Sequence, residues 1–213
     1  MNDMQAIVIA STSIITLLSA ILSALLFSNY RAKKGSNYLF WGTGIALFAF
    51  GTLLEALFAA GAYSGIFAKL YLFIVAALVS ALAVGSVQLA KSRRIRQAYY
   101  IFTVLSLVFV LYSLAVTSIG NILVGYVVYA VLPLLVVTAS SVATFPAALA
   151  IIVMAALSYK HTKNVKMLSI IAGVIIVSIA GTLYIVQFPA TLYYAEAIGI
   201  VLLWAGFYSR KSR

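Results

Sequence analysis

The chain has 213 residues and a formal net charge of +11, with 65% hydrophobic and only 8% charged residues. So few charges cannot cover the surface of a water-soluble domain, and lipid is the expected solvent for most of the protein. With no cysteine, a disulfide framework, a thiolate nucleophile and a cysteine-ligated cluster are all excluded.

In chain order, apolar runs over roughly 5–29, 38–62, 67–90, 98–118, 143–159, 167–187 and 190–208 predict seven spanning helices. Most hold the ~17–25 residues that a crossing needs, and the fifth is the shortest. The first run is too long for a signal-peptide core and follows Asp3 rather than a basic stretch, so it reads as a retained span. An eighth apolar stretch lies within 119–142. Gly120, Asn121, Pro133, Ser140, Ser141 and Pro146 interrupt it with breaker and polar residues.

The basic residues arbitrate. Thirteen of the fourteen Lys/Arg fall in four patches, Arg31 to Lys34, Lys91 to Arg96, Lys160 to Lys166 and Arg210 to Arg213. Each patch follows an apolar run, which is the pattern of cytoplasmic loops under the positive-inside rule. The charge is therefore assigned to topology and to contact with anionic lipid headgroups, not to nucleic acid. Seven spans, N-terminus out and C-terminus in, place every patch inside. Segment 119–142 is then an outer-side piece, re-entrant or interfacial, covered by protein or facing water. Eight spans with one exceptional loop is the alternative. Tyr30, Tyr38, Trp41, Tyr99, Tyr100, Tyr159, Trp204 and Tyr208 fall near the inner ends. Tyr63, Tyr71, Tyr184, Tyr193 and Tyr194 fall near the outer ends, giving two aromatic belts.

Three short echoes recur in order. Gly51-Thr52-Leu53 returns as Gly181-Thr182-Leu183, and Ala68-Lys69-Leu70-Tyr71 as Ala190-Thr191-Leu192-Tyr193. Tyr30-Arg31-Ala32-Lys33 is matched loosely by Tyr159-Lys160 and Lys163. They suggest a 3+1+3 plan within a single transmembrane domain, with parallel units 5–91 and 143–210 joined by helix 98–118. Chance matching in a low-complexity alphabet is the competing explanation. Ser19/Ser23, Ala20/Ala24, Gly44, Gly51, Ala77, Ala81, Gly85, Ala195 and Gly199 supply small residues for close helix packing.

The chemistry concentrates in two acids. Of only three acidic residues, Glu55 and Glu196 lie inside apolar spans, where a carboxylate is costly and needs a partner or a task. Both fall roughly 10 Å below the outer ends of their helices at 1.5 Å per residue. Lys69, Tyr71, Tyr184, Gln187, Thr191, Tyr193 and Tyr194 lie near the same level. Three arrangements are open. The glutamates can face each other and share a proton, because two like charges cannot both ionise in a low dielectric. One can pair with Lys69, whose long stem reaches inward or outward. Each can also be satisfied separately by hydroxyl or backbone donors.

Other chemistries lack residues. His161 is the sole histidine and lies in a basic inner loop, which leaves neither bis-histidine haem ligation nor a zinc site. It is also across the membrane from Asp3, so no Ser-His-Asp set forms. The later spans have no mid-helix lysine for a retinal Schiff base, and no phosphate loop occurs. The chain is read as non-enzymatic, with no cofactor and no metal site.

Leu39-Phe40-Trp41-Gly42 with Phe50-Gly51-Thr52-Leu53-Leu54-Glu55-Ala56-Leu57, then Gly181-Thr182-Leu183, Leu192-Tyr193-Tyr194-Ala195-Glu196 and Ala205-Gly206-Phe207, carry a resemblance. These segments resemble a set of small seven-span integral membrane proteins of bacteria and archaea, which implies a fold but no activity. The 3+1+3 plan is similar to that of the small sugar transporters with two three-helix units. The prolines depart from that family, so only the architecture is borrowed.

Three functional classes remain. A transporter or channel in the cell membrane would use an outer-facing pocket of Glu55, Glu196, Lys69 and tyrosines for a proton, a cation or a small amine. A non-catalytic subunit or assembly factor of a larger membrane complex would also show short loops and no catalytic set; other membrane subunits, or further copies of the chain, are the partners expected besides the lipid. A receptor-like sensor would need a separate partner, because its inner loops are so short. The topology is testable directly, since the chain has no native cysteine. Single cysteines at Lys91 and Lys163 should resist an impermeant maleimide applied to intact cells, and cysteines at Ala62 and Asn121 should react. Labelling at position 163 from outside would instead require eight spans.

Overall fold

The computed structural model describes residues 3–124, 126–128, 132–163, 165–183 and 189–207, leaving aside the side chains at 167, 174, 177–183, 189–193 and 207. Among these residues the chain is a bundle of seven helices with one small hairpin. The helices are α1 (Asp3–Lys33), α2 (Ser36–Ala59), α3 (Gly65–Val87), α4 (Arg93–Val116), α5 (Leu134–Thr162), α6 (Lys166–Leu183) and α7 (Pro189–Phe207). The strands β1 (Leu123–Val124) and β2 (Val127–Val128) fall between α4 and α5. They pair antiparallel, Leu123 opposite Val128 and Val124 opposite Val127.

Five helices, α1 to α5, are long and apolar enough to cross a bilayer. At 1.5 Å per residue α1 is about 46 Å long, more than the ~30 Å hydrocarbon core. Its charged residues sit at its two ends, Asp3 in the first turn and Arg31 and Lys33 in the last. Helices α6 and α7 have 18 and 19 residues and similarly apolar sequences.

The fifth apolar run differs most from its expected bounds. Helix α5 begins at Leu134 and has 29 residues, so it is among the longest, not the shortest. Residues 134–142 belong to it, and the non-helical piece shrinks to the stretch before Pro133. The reason is the proline's position. Pro133 sits at the N-cap with φ −56° and ψ 141°, where a missing N–H costs nothing. Pro146 lies within α5, and the helix continues through it, as helices buried among other helices allow. Helix α2 also stops at Ala59, earlier than the apolar run. Gly61 follows with φ +94°, a turn that glycine adopts without strain. Ser64 then caps α3 by accepting from the Phe67 N–H at 3.2 Å.

Neighbouring helices close into a ring in the order α1, α2, α3, α5, α6, α7 and back to α1, while α4 packs outside against α3 and α5. One apolar core joins Ile15, Leu22 and Leu26 of α1 to Ile45 and Phe48 of α2, Leu78 and Leu82 of α3, Ile151 of α5, Ile170 of α6 and Ile200 and Leu203 of α7. Trp204 closes the ring by donating its Nε1–H to the Leu18 carbonyl at 3.2 Å. It is an inter-helix clasp more than a belt residue, and Trp41 likewise bonds Ser86 Oγ at 3.2 Å.

The α2–α3 contact depends on two glycines. A Cβ on Gly44 would lie 2.7 Å from Leu82 Cγ, and one on Gly85 would lie 2.5 Å from the Trp41 ring and 3.1 Å from the Asn37 carbonyl. Gly51, by contrast, has room, with Ile74 at 3.6 Å. Gly85→Ala should therefore lower stability by about 1–3 kcal/mol, the usual range for overpacking, whereas Gly51→Ala should be near neutral. Thermal unfolding in detergent, followed by tryptophan fluorescence, measures both.

Candidate functional site

Glu55 lies one turn from the end of α2, about 6 Å along the axis, and Glu196 about 10 Å into α7. Both side chains are buried, with 2% and 7% of their surface exposed. The carboxyl groups are close enough to act on each other electrostatically. The structure thus brings together two acids that are 141 positions apart in sequence.

Tyr71 is the third member. It stands on α3, is itself buried, and donates its hydroxyl to Glu55 Oε1 at 2.5 Å. A bond to a carboxyl group this short is a strong one. Tyr71 was expected in the outer aromatic belt as well as near the acids; it is an internal ligand of Glu55. Its ring is held edge-on against Phe58, 6.0 Å between centroids, and Phe58 in turn packs on Tyr63 at 5.5 Å. The second oxygen of each glutamate, Oε2, is buried with no hydrogen-bond partner among the described residues.

The other expected members are spread out. Lys69 is half-buried, and it makes no ion pair with either acid among the described residues. Tyr194 is 66% exposed and takes no part in the buried layer. Tyr184 and Gln187 lie outside the described residues, as do the side chains of Thr191 and Tyr193.

The layer is covered, not open. The hairpin lies across the ends of α2 and α7, touching both helices through β2. Its apolar residues Ile122, Val127 and Val128 are buried. Ile122 and Val128 join Leu54, Phe58, Ala68, Tyr71 and Ile74 around Glu55, and Val127 packs on Val8 and Ala59. Tyr63 pins the cover by accepting the Ile122 N–H at 3.1 Å and donating to the Gly120 carbonyl at 3.2 Å. Asn121 Oδ1 accepts the Leu123 N–H at 2.9 Å, a local turn that starts the hairpin.

A hydroxyl seam escaped the sequence reading, except that Ser19 and Ser23 were noted as small. Thr12, Thr16, Ser19 and Ser23 are spaced i, i+4, i+7 and i+11, which places them on one face of α1. Thr12, Ser19 and Ser23 are buried, as is Thr52 of α2. Thr16 and Thr52 share a hydrogen bond of 2.8 Å, and Ser23 donates to the Gly42 carbonyl at 2.9 Å. Thr52 is three residues before Glu55, so the seam begins one turn below the acid layer. The spacing was legible; what hid it was that single hydroxyls in an apolar helix can bond their own backbone.

No family model matches the chain, and no curated protein or solved structure matches it either. The site therefore rests on its geometry. Tyr71→Phe should lower stability by about 1–3 kcal/mol, because it leaves a buried carboxyl oxygen without this donor. The penalty should shrink in a Glu55→Met background, where the acceptor is gone. A double-mutant cycle on thermal unfolding in detergent reads this coupling.

Proposed function

We propose that the protein is a small integral membrane transporter or channel-like protein that handles a proton or small cation at the Glu55–Glu196 pair. The single observation that carries this reading is the burial of two carboxyl groups, from α2 and α7, within electrostatic reach of each other, each with an oxygen that has no hydrogen-bond partner among the described residues. Two acids in mutual reach in a low dielectric retain a proton between them and exchange it as a unit. Intramembrane acids that face a bundle interior are the usual elements of proton and ion pathways.

Several features favour a small ion over an amine. The layer is enclosed by apolar side chains. Among the described residues no three His, Cys, Asp or Glu side chains come together, whereas calcium and magnesium take six or more oxygens and zinc takes four ligands. The hydroxyl seam continues from Thr52 toward Ser23, offering polar stations on the way to the opposite end.

The transmembrane arrangement is part of the same proposal. Seven spans with the N-terminus outside put the four basic patches on one side, with the acid layer and its hairpin cover on the other. The ring of α1, α2, α3, α5, α6 and α7, with α4 outside it, is what a 3+1+3 plan would give, the site then falling where the two units meet. A non-catalytic subunit of a larger membrane complex is the second reading. It is favoured by the brevity of the connections, such as the two residues between α1 and α2.

Purified protein in liposomes with a trapped pH dye tests the first reading. Wild type should dissipate an imposed proton or cation gradient, and Glu55→Gln and Glu196→Gln should each abolish the flux, since each removes one member of the shared acid. Unchanged flux in the double Gln variant would refute it. A stable partner retained through gentle-detergent purification, with no flux in the isolated chain, would favour the second.

A further inference from the structure

At the end of the bundle opposite the acid layer, the α3–α4 connection forms a cleft of about 570 Å³ lined by Gln88, Arg93, Arg96, Gln97, Tyr100 and Ile101. We propose that this cleft is a binding site for the headgroup of an anionic phospholipid, whose acyl chain lies along the outer face of α4.

The first ground is charge. The chain has three acidic side chains, and none can reach the cleft. Glu55 and Glu196 are buried in the far layer, and Asp3 is in the first turn of α1. That turn packs on the far end of α2, where Gln5 Nε2 donates to the Ala59 carbonyl at 2.9 Å. Arg93 and Arg96 make no side-chain hydrogen bond or ion pair among the described residues. Two guanidinium groups in one cleft thus present positive charge that no acidic side chain of this protein neutralises.

The second ground is the shape of the donor set. Arg93, Arg96, Gln97 and Tyr100 are spaced i, i+3, i+4 and i+7, one face of α4. Gln88 adds an amide from the end of α3. Guanidinium forks match phosphate oxygens in pairs, which a lysine does not do. The Tyr100 ring is set against Phe40 of α2, 6.5 Å between centroids and 65° between planes, leaving its polar end at the membrane interface, where tyrosine is favoured.

The third ground separates a lipid from a free phosphate. Ile101, at the lower edge of the cleft, starts an apolar stripe of Ile101, Leu105, Val108 and Tyr112, with exposures of 58%, 64%, 56% and 58%. These residues are spaced i, i+4, i+7 and i+11, so a single acyl chain can run from the cleft straight down the helix. A soluble anion would leave that stripe unused.

Native mass spectrometry of the full chain in mild detergent, titrated with phosphatidylglycerol or phosphatidylcholine, tests the site. Wild type should retain phosphatidylglycerol at concentrations about thirtyfold lower than phosphatidylcholine, the worth of two arginines facing an anionic lipid. Arg93→Gln/Arg96→Gln should abolish that preference, and Lys91→Gln/Arg94→Gln, which removes the same charge outside the cleft, should keep it. Equal loss in both double variants would overturn the site in favour of diffuse attraction. Inorganic phosphate displacing the lipid at equal concentration would overturn the lipid assignment in favour of a free-anion site. Phenylglyoxal modification of wild type gives an independent reading free of any folding defect. Phosphatidylglycerol should protect Arg93 and Arg96 but not Arg94, and equal modification with and without it would also overturn the proposal.

Discussion

Everything in this bundle is arranged around the burial of two carboxyl groups in one layer of low dielectric. A lone ionised carboxylate is expelled from such a place, and two are expelled more strongly. They remain because the surrounding elements leave them no other position. Helix α7 returns against α1 and α6, so Glu196 is carried inward with Ile200 and Leu203. Helix α3 supplies Tyr71 to Glu55. The hairpin then seals the end with valine and isoleucine. Each of these is a packing event, and each raises the electrostatic stake of the pair by removing water from it.

The same bundle handles its hydroxyl groups differently. Thr12 and Ser19 donate to carbonyls four residues back at 2.7 Å, and Thr16 does the same while also meeting Thr52. These groups are satisfied locally, so they can line a helix interface at little cost. In lipid, apolar burial gives helices no drive to associate, and close approach with hydrogen bonding has to do it. That is the role of Gly44 and Gly85 between α2 and α3 and of the Trp204 clasp between α7 and α1. The acids differ from the hydroxyls because the helix backbone offers no N–H to accept from. The Oε2 atoms left without a partner among the described residues follow from this.

Charge is segregated along the bundle axis. The three acids lie toward one end, two of them buried, while the basic residues of the α1–α2 and α3–α4 connections lie at the other. Internal ion pairs between the two sets are ruled out by distance alone. The acid end therefore turns inward, its two glutamates buried, while most basic residues at the other end are exposed. Among the described residues Lys69 is the one basic side chain on the acid side, and its exposure is easier than its burial beside Glu55, since a buried lysine needs excellent geometry to offset its desolvation.

Residue type and spacing alone decided the helical class and the bounds of most apolar helices to within a few residues, and singled out Glu55 and Glu196 as acids inside apolar helices. Long apolar runs leave a backbone no choice but to satisfy its own hydrogen bonds as helix, and an acid within such a run is informative wherever it faces. Register along a helix also put Tyr71 near the level of Glu55. Sequence did not decide which neighbours share a layer. Lys69 and Tyr71 are two positions apart on α3, yet only Tyr71 faces Glu55, because rotation about the helix axis depends on the partner helix. Nor could it show that Pro133 starts a helix instead of prolonging an irregular stretch, or that Ile122, Val127 and Val128 fold back over the acids. Those are contacts between distant segments. They are fixed by which helix lies beside which, and the ring of six is specified only when α7 closes on α1.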